Sequence, residues 1–282
     1  MFIKSKMLYI VFILISFLLS KNEELLEKKI VSIGGSITEI VFELGLGENV
    51  IGVDQSSVLP KIVKELPQVG YIRRISSEGV LSMMPTIILT NTEIGPKAAV
   101  DEIKNSGVKM NIYDAPKNLD GLYSIVNQIG NDFDLTEKAE DLINKIQNFK
   151  VKIDEKEKNK KQNKVIFIMN PSNSSYNAAG SKTVANYLIK MINGINLVEN
   201  DFAYYRPINK EQLIMYNPDV LIIASHYDDQ DAINHFMDNV DFSNLNSVKN
   251  KNVISIPLSN LTMGPSFIKN AISLLDKIKF EN

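Results

Sequence analysis

Hydrophobic and polar positions follow two rhythms along this chain, a period near two in short β-branched runs and a period near 3.6 in longer ones. Residues 7–19 (MLYIVFILISFLL) stand apart as an uncharged apolar run, preceded by Lys4 and Lys6 and followed by Ser20 and charged residues. As a helix that run would rise about 20 Å, short of the ~30 Å hydrocarbon core, so residues 1–20 read as a secretory signal peptide, with an uncleaved anchor as the other reading. The next segment, KKIVSIGGSITEIVFELGLGENVIGVD (28–54), opens as a strand, turns at Gly34 and Gly35, and enters an apolar-periodic helix. Ser36 with Glu39 reads as a capping box, and Gly45 and Gly47 mark the helix end. Further strands are expected at 86–90 (TIILT) and 108–113, with a helix at 98–104 between them.

One long helical pattern covers 136–158, with Ala139, Leu142, Ile143, Ile146, Phe149 and Ile153 on a single stripe, and it dissolves into the lysine-rich EKEKNKKQNK. A second α/β series then starts at 164–170 (KVIFIMN). It continues through a helix at 184–192, strands at 220–225 (VLIIAS) and 252–257 (NVISIP), and a terminal amphipathic helix at 267–278. The parse is a signal peptide (1–20), an N-terminal α/β lobe (21–135), a connecting helix (136–163) and a C-terminal α/β lobe (164–282). An internal echo links the lobes: Glu78 and Glu211 each stand seven residues before a proline, Pro85 and Pro218, that ends a short apolar helix ahead of a buried strand. A carboxylate at a helix start is favourable by ~0.3–1 kcal/mol for that reason alone. Its repetition in two lobes suggests a shared external partner.

Composition narrows the chemistry. The chain has 282 residues, no Cys, two His and a net charge of −2. Disulfides, thiolate metal sites, thiol nucleophiles, lipidation at cysteine and a His-rich metal centre are excluded, and nothing favours binding to nucleic acid. No G-x-S-x-G, H-E-x-x-H or G-x-G-x-x-G occurs, and AAGSKT (178–183) lacks the spacing of a phosphate loop. His235 reads as a helix-surface residue. His226 follows the strand VLIIAS, at a strand end where open α/β sheets bind ligands, so it is either structural or a ligand contact.

The densest functional cluster is QVGYIRRISSEG (68–79), where Tyr71 stands beside Arg73 and Arg74. A phenolate is a hard oxygen ligand suited to ferric iron, an arginine beside it favours the ionised form, and guanidinium forks hold carboxylates bidentately. A loop tyrosine can equally be there for packing.

These segments, together with EQLIMYNPDVLII and LTMGPSF, resemble the haemin-binding periplasmic proteins of bacterial ABC importers, within the cobalamin and siderophore class of substrate-binding proteins. G-x-S-x-T-E-I, the paired glutamates and the long helix carry the class; G-Y-x-x-x-x-S-S-E-G selects haem within it. The resemblance implies a class III binding-protein fold, two Rossmann-like lobes joined by one long helix, acting as a non-enzymatic, monomeric periplasmic carrier. Haem is then the transported ligand and an inner-membrane ABC permease the partner. By the same resemblance Tyr71 is the axial iron ligand, Arg73 or Arg74 meets a propionate, Gly35 and Ser36 line the cleft, and Glu78 and Glu211 dock the permease. Some relatives carry a second-lobe His that can hold another haem, whereas LVENDFAYYRPIN has Tyr204, Tyr205 and Arg206 there; Ser266 replaces an Arg found after M-G-P in other members. The rival readings are a cobalamin or ferric-siderophore carrier, a haem scavenger retained at the surface by its N-terminus, and a secreted α/β enzyme.

Overall fold

The β-branched triplet Ile30–Ser32 forms strand β1, buried at every residue, and leads into helix α1 (Gly35–Glu43) and strand β2 (Val50–Val53), which runs parallel to β1. The computed structural model describes residues 28–169, 175–225 and 230–279, so the expected signal peptide lies outside the described residues. The chain divides into two compact units, Met1–Asp114 and Ala115–Asn282.

The first unit continues with the two-residue strands β3 (Gly70–Tyr71) and β4 (Arg74–Ile75), helix α2 (Ser77–Leu81), strand β5 (Ile87–Asn91), helix α3 (Lys97–Asn105) and strand β6 (Lys109–Tyr113). Its sheet has the order β2-β1-β5-β6 with every pairing parallel. The central strands β1 and β5 are buried along their whole length, which is why their apolar residues are consecutive, Ile30 and Val31 in one and Ile87 to Leu89 in the other, rather than alternating. Val31, Ile33, Ile88 and Ile103 form one core with Val69, Ile72, Ile75 and Val80, so the β3–β4 hairpin is anchored in the hydrophobic interior.

The second unit begins with helix α4 (Leu119–Asp132) and the 22-residue helix α5 (Thr136–Glu157), whose bounds agree with the expected long helix. Leu119, Leu122, Val126 and Ile129 are spaced as one helical face behind Asn118, whose side chain accepts the Gly121 N–H at 2.9 Å; the expectations above do not include this helix. A Cβ on Gly130 would lie 2.6 Å from that of Ala139, so α4 and α5 meet where only glycine fits.

Strands β7 (Lys164–Met169) and β8 (Tyr176–Ala179), helix α6 (Val184–Met191), strands β9 (Ile195–Asn196) and β10 (Tyr205–Ile208) and helix α7 (Lys210–Tyr216) follow. The unit ends with β11 (Val220–Ser225), α8 (Gln230–Met237), α9 (Asn246–Lys249), β12 (Val253–Pro257) and α10 (Phe267–Lys277), the last packing against α5. Its sheet runs β10-β8-β7-β11-β12, parallel through β7, β11 and β12 and antiparallel at β8, with β9 beside β7. The parallel series β1, β5, β6 thus recurs as β7, β11, β12. Among the described residues no helix is long and apolar enough to cross a membrane.

Candidate functional site

Tyr71 sits on the β3–β4 hairpin, where it pairs directly with Arg74 across a turn of two residues, Ile72 and Arg73. Ile72 and Ile75 point into the core, and this leaves Tyr71 on the outside at 44% exposure. Gly70, at φ +103°, admits the twist that starts the hairpin; a Cβ there would meet the Arg74 carbonyl oxygen at 3.1 Å. Directly opposed side chains in an antiparallel pair are neighbours, so Arg74 is the guanidinium beside the phenol. Arg73 turns to Glu93, 3.0 Å away, whereas Arg74 has no carboxylate partner among the described residues.

The hairpin is tied to the start of α1 by Asp54, which is fully buried. Its Oδ1 accepts the Gly34 N–H at 2.7 Å and the Ser57 hydroxyl at 2.7 Å. Its Oδ2 accepts the Ser56 N–H at 3.0 Å, the Ser56 hydroxyl at 2.6 Å and the Ile72 N–H at 3.2 Å. Ser57 extends the chain of hydroxyls to Thr38 at 2.7 Å, and Thr38 extends it to Ser32 at 2.8 Å. Asp54, Ser56 and Ser57 carry no part in the expectations above, although an Asp-x-Ser-Ser directly after a buried strand is a visible signal for such a cap.

This arrangement corrects the expected capping box. The N-cap of α1 is Gly34 at φ +106°, Ser36 lies inside the helix, and no side chain of the helix's own start caps it. The cap comes from the far side of β2, because Asp54 takes the Gly34 N–H and the Ser56 hydroxyl takes the Gly35 N–H at 3.3 Å. The anion at this helix start is the chain's own carboxylate. Ser36 is buried and Gly35 is partly exposed.

Glu78 and Glu211 occupy matching places. Glu78 is the second residue of α2, behind the N-cap Ser76, whose hydroxyl accepts the Gly79 N–H at 3.1 Å. Glu211 is the second residue of α7, behind Asn209, which forms a reciprocal capping box with Gln212. Both glutamates are exposed. The echo reaches further back than the glutamates, since Tyr71-x-Arg73 and Tyr204-x-Arg206 each precede the Glu by the same interval, giving Y-x-R-x4-E-x6-P twice.

Tyr204 and Tyr205 divide into two roles. Tyr204 is 60% exposed and stands at φ +63°, held there by its N–H donating to the Ser181 carbonyl at 2.7 Å and its carbonyl accepting from the Gly180 N–H at 2.8 Å. A tyrosine in the left-handed region is uncommon and marks a position that its surroundings impose. Tyr205 is half-buried on β10, and burial pushes its phenol up to about 12, which keeps it neutral. His226 lies outside the described residues. His235 is not a simple surface residue: its ring packs edge-on against Phe236 at 5.0 Å, and Nε2 is 3.4 Å from the Tyr176 hydroxyl. Among the described residues no cluster of three or more His, Cys, Asp or Glu could hold a bare metal ion.

Comparison with known proteins places these features in a wider group. The model of a family described as periplasmic binding protein matches residues 30–259. An uncharacterized ABC transporter substrate-binding lipoprotein of Bacillus subtilis, YvrC, is 26% identical over 89% of this chain and 80% of its own length. The high-affinity heme uptake system protein IsdE of Staphylococcus aureus is 29% identical over 60% of this chain and 57% of its own. Among solved structures, the periplasmic heme-binding protein RhuT from Roseiflexus sp. RS-1 superposes with a TM-score of 0.79, at 26% identity, covering 89% of this chain and 97% of that one.

Proposed function

The chain belongs to the periplasmic binding protein family, and on that premise we propose that it is an exported haem carrier that delivers its ligand to an ABC permease. The observation that carries this reading is the Tyr71 hairpin: an exposed phenol on a rigidly anchored two-residue strand, directly opposite a guanidinium that has no carboxylate partner among the described residues. Tyrosinate is an established axial ligand for ferric haem, and a flanking arginine suits a propionate. Relatives named for haem uptake and haem binding support the ligand class, and the name of YvrC supports the ABC transporter.

In this reading Tyr71 supplies the axial oxygen and Arg74 meets a propionate, while Arg73 is engaged by Glu93 and is the weaker candidate. Tyr204, exposed and equivalent to Tyr71 in the sequence repeat, is a further candidate haem contact; Tyr205 contributes packing through a neutral phenol. Gly35, Ser36 and His226 are assigned the lesser role of shaping the ligand's surroundings. Glu78 and Glu211 set the register on the permease through charge complementarity, which governs specificity and encounter more than raw affinity.

Titration of the purified protein with haemin tests the proposal. A tyrosinate-ligated ferric spectrum is expected, lost or strongly altered in Tyr71→Phe. An unchanged Soret band in that variant would remove Tyr71 from the iron, and preferential binding of cobalamin or a ferric catecholate in competition would replace haem as the ligand.

A further inference from the structure

We propose that Asp54 is the positioning residue for the ligand tyrosine, its buried carboxylate setting the direction in which the Tyr71 hairpin presents its phenol. This rests on the reading of Tyr71 as the iron ligand.

Side-chain packing of Val69, Ile72 and Ile75 holds the hairpin down and puts Tyr71 on its outer face, but the apolar driving force does not by itself set the tilt of the peptide planes in the hairpin. Direction comes from hydrogen bonds on either side. On one side the Gly95 N–H donates to the Ile72 carbonyl at 2.9 Å, and the Ile75 N–H donates to the Gly95 carbonyl at 2.9 Å. On the other the Gln55 N–H donates to the Gly70 carbonyl at 2.8 Å, and Asp54 takes the Ile72 N–H. That N–H lies in the Tyr71–Ile72 peptide plane, so the bond to Asp54 fixes the plane that follows directly on the tyrosine's Cα.

The residue has to be a carboxylate. Its two oxygens accept five hydrogen bonds, three of them from backbone N–H groups, and among the described residues no cation pairs with it. An acceptor-only group is the one side chain that meets this many donors without presenting a donor of its own. In Asp54→Asn the amide nitrogen faces either the Gly34 N–H or the N–H groups of Ser56 and Ile72. In both orientations a buried backbone donor loses its acceptor. The same oxygens hold the start of α1, so the hairpin and the glycine turn are set as one unit.

The test uses the full chain as wild type, Asp54→Asn, Tyr71→Phe and the double variant, with Ser56→Ala as the milder substitution should Asp54→Asn fail to fold. Amide hydrogen exchange without ligand is expected to quicken by about tenfold or more across residues 69–75, while β5 and β6 stay protected. Haemin affinity is expected to fall by about tenfold in the Tyr71 background with a shifted charge-transfer band, and by less than about twofold on top of Tyr71→Phe. Unchanged exchange in the hairpin, or equal affinity losses in both backgrounds, would overturn the role of Asp54. A wild-type protein that shows no tyrosine-ligated haem would instead defeat the carrier reading, and the exchange result would still decide whether Asp54 sets the hairpin.

Discussion

Replacing Gly34 by alanine tests the joint between the sheet and the site, and its cost can be assembled from two separable contributions. Gly34 adopts φ +106° and ψ 124°, a region essentially closed to residues with a Cβ, which costs of order 1–3 kcal/mol. The new methyl would also lie 3.0 Å from Asn91 Nδ2 and 3.1 Å from Ile72 Cδ1, so a buried core side chain has to give way, at about 1–3 kcal/mol. The lower entropy of the unfolded alanine chain returns about 0.4–1 kcal/mol. A net loss of about 1–5.5 kcal/mol is expected, centred near 3, which is a fall in Tm of about 6–12 °C at the centre for a chain of this size. Gly107→Ala is the uncrowded control, since Gly107 sits at φ +82° with nothing within 4 Å of the added methyl, and only the backbone cost of positive φ, roughly 1–2 kcal/mol, should appear. Thermal unfolding followed by circular dichroism, with guanidinium titrations on the same variants, measures both. If Gly34→Ala proves no more destabilising than Gly107→Ala, the close approach of Ile72 and Asn91 to Gly34 imposes no requirement for glycine there.

Other consequences can be checked independently. Gly180→Ala isolates crowding without backbone strain, because its methyl would lie 2.1 Å from the Phe202 carbonyl oxygen, and it should destabilise and displace the Tyr204 loop, read as lost hydrogen-exchange protection at Gly180, Ser181 and Tyr204. Asn209→Ala removes the side-chain half of the capping box on the helix that carries Glu211, taking the acceptor from the Gln212 N–H while leaving the backbone N–H of residue 209 free to donate to Gln212 Oε1, and should cost about 1 kcal/mol in chemical denaturation. Lysine at both Glu78 and Glu211 should abolish stimulation of the permease ATPase while haemin titrations stay unchanged, both side chains being exposed; loss of haemin binding would make them structural. Burial raises the Tyr205 phenol to about 12, so the folded state favours its neutral form. The resulting stability is fully present below the ordinary value of 10 and is lost as pH climbs from about 10 to about 12, and Tyr205→Phe should flatten stability in that window; an unchanged slope would mean the phenol is not held neutral.

Much of the architecture was legible without coordinates because its signals are local. The long helix at Thr136–Glu157, the buried strands β5 and β11, and the two short helices that bring Glu78 and Glu211 to equivalent places all follow from periodicity, proline and cap residues within a few positions of one another. Helix α4 was legible by the same rules, from Asn118 and its apolar spacing, and so was the full Y-x-R-x4-E-x6-P repeat, both beyond the expectations drawn from the chain.

The order of residues alone thus carries the α/β class, the repeated Tyr, Arg and Glu, and the kind of chemistry that two His and no Cys leave available. Tertiary structure alone decided which arginine stands opposite Tyr71 and which is taken by Glu93, which of two adjacent tyrosines is exposed, and what caps α1. The physical reason is range. Periodicity and capping boxes report on neighbours a few residues apart, whereas Asp54 reaches Gly34 and Ile72 across 20 and 18 residues, and those contacts exist only once β2 has paired with β1 and brought the chain back.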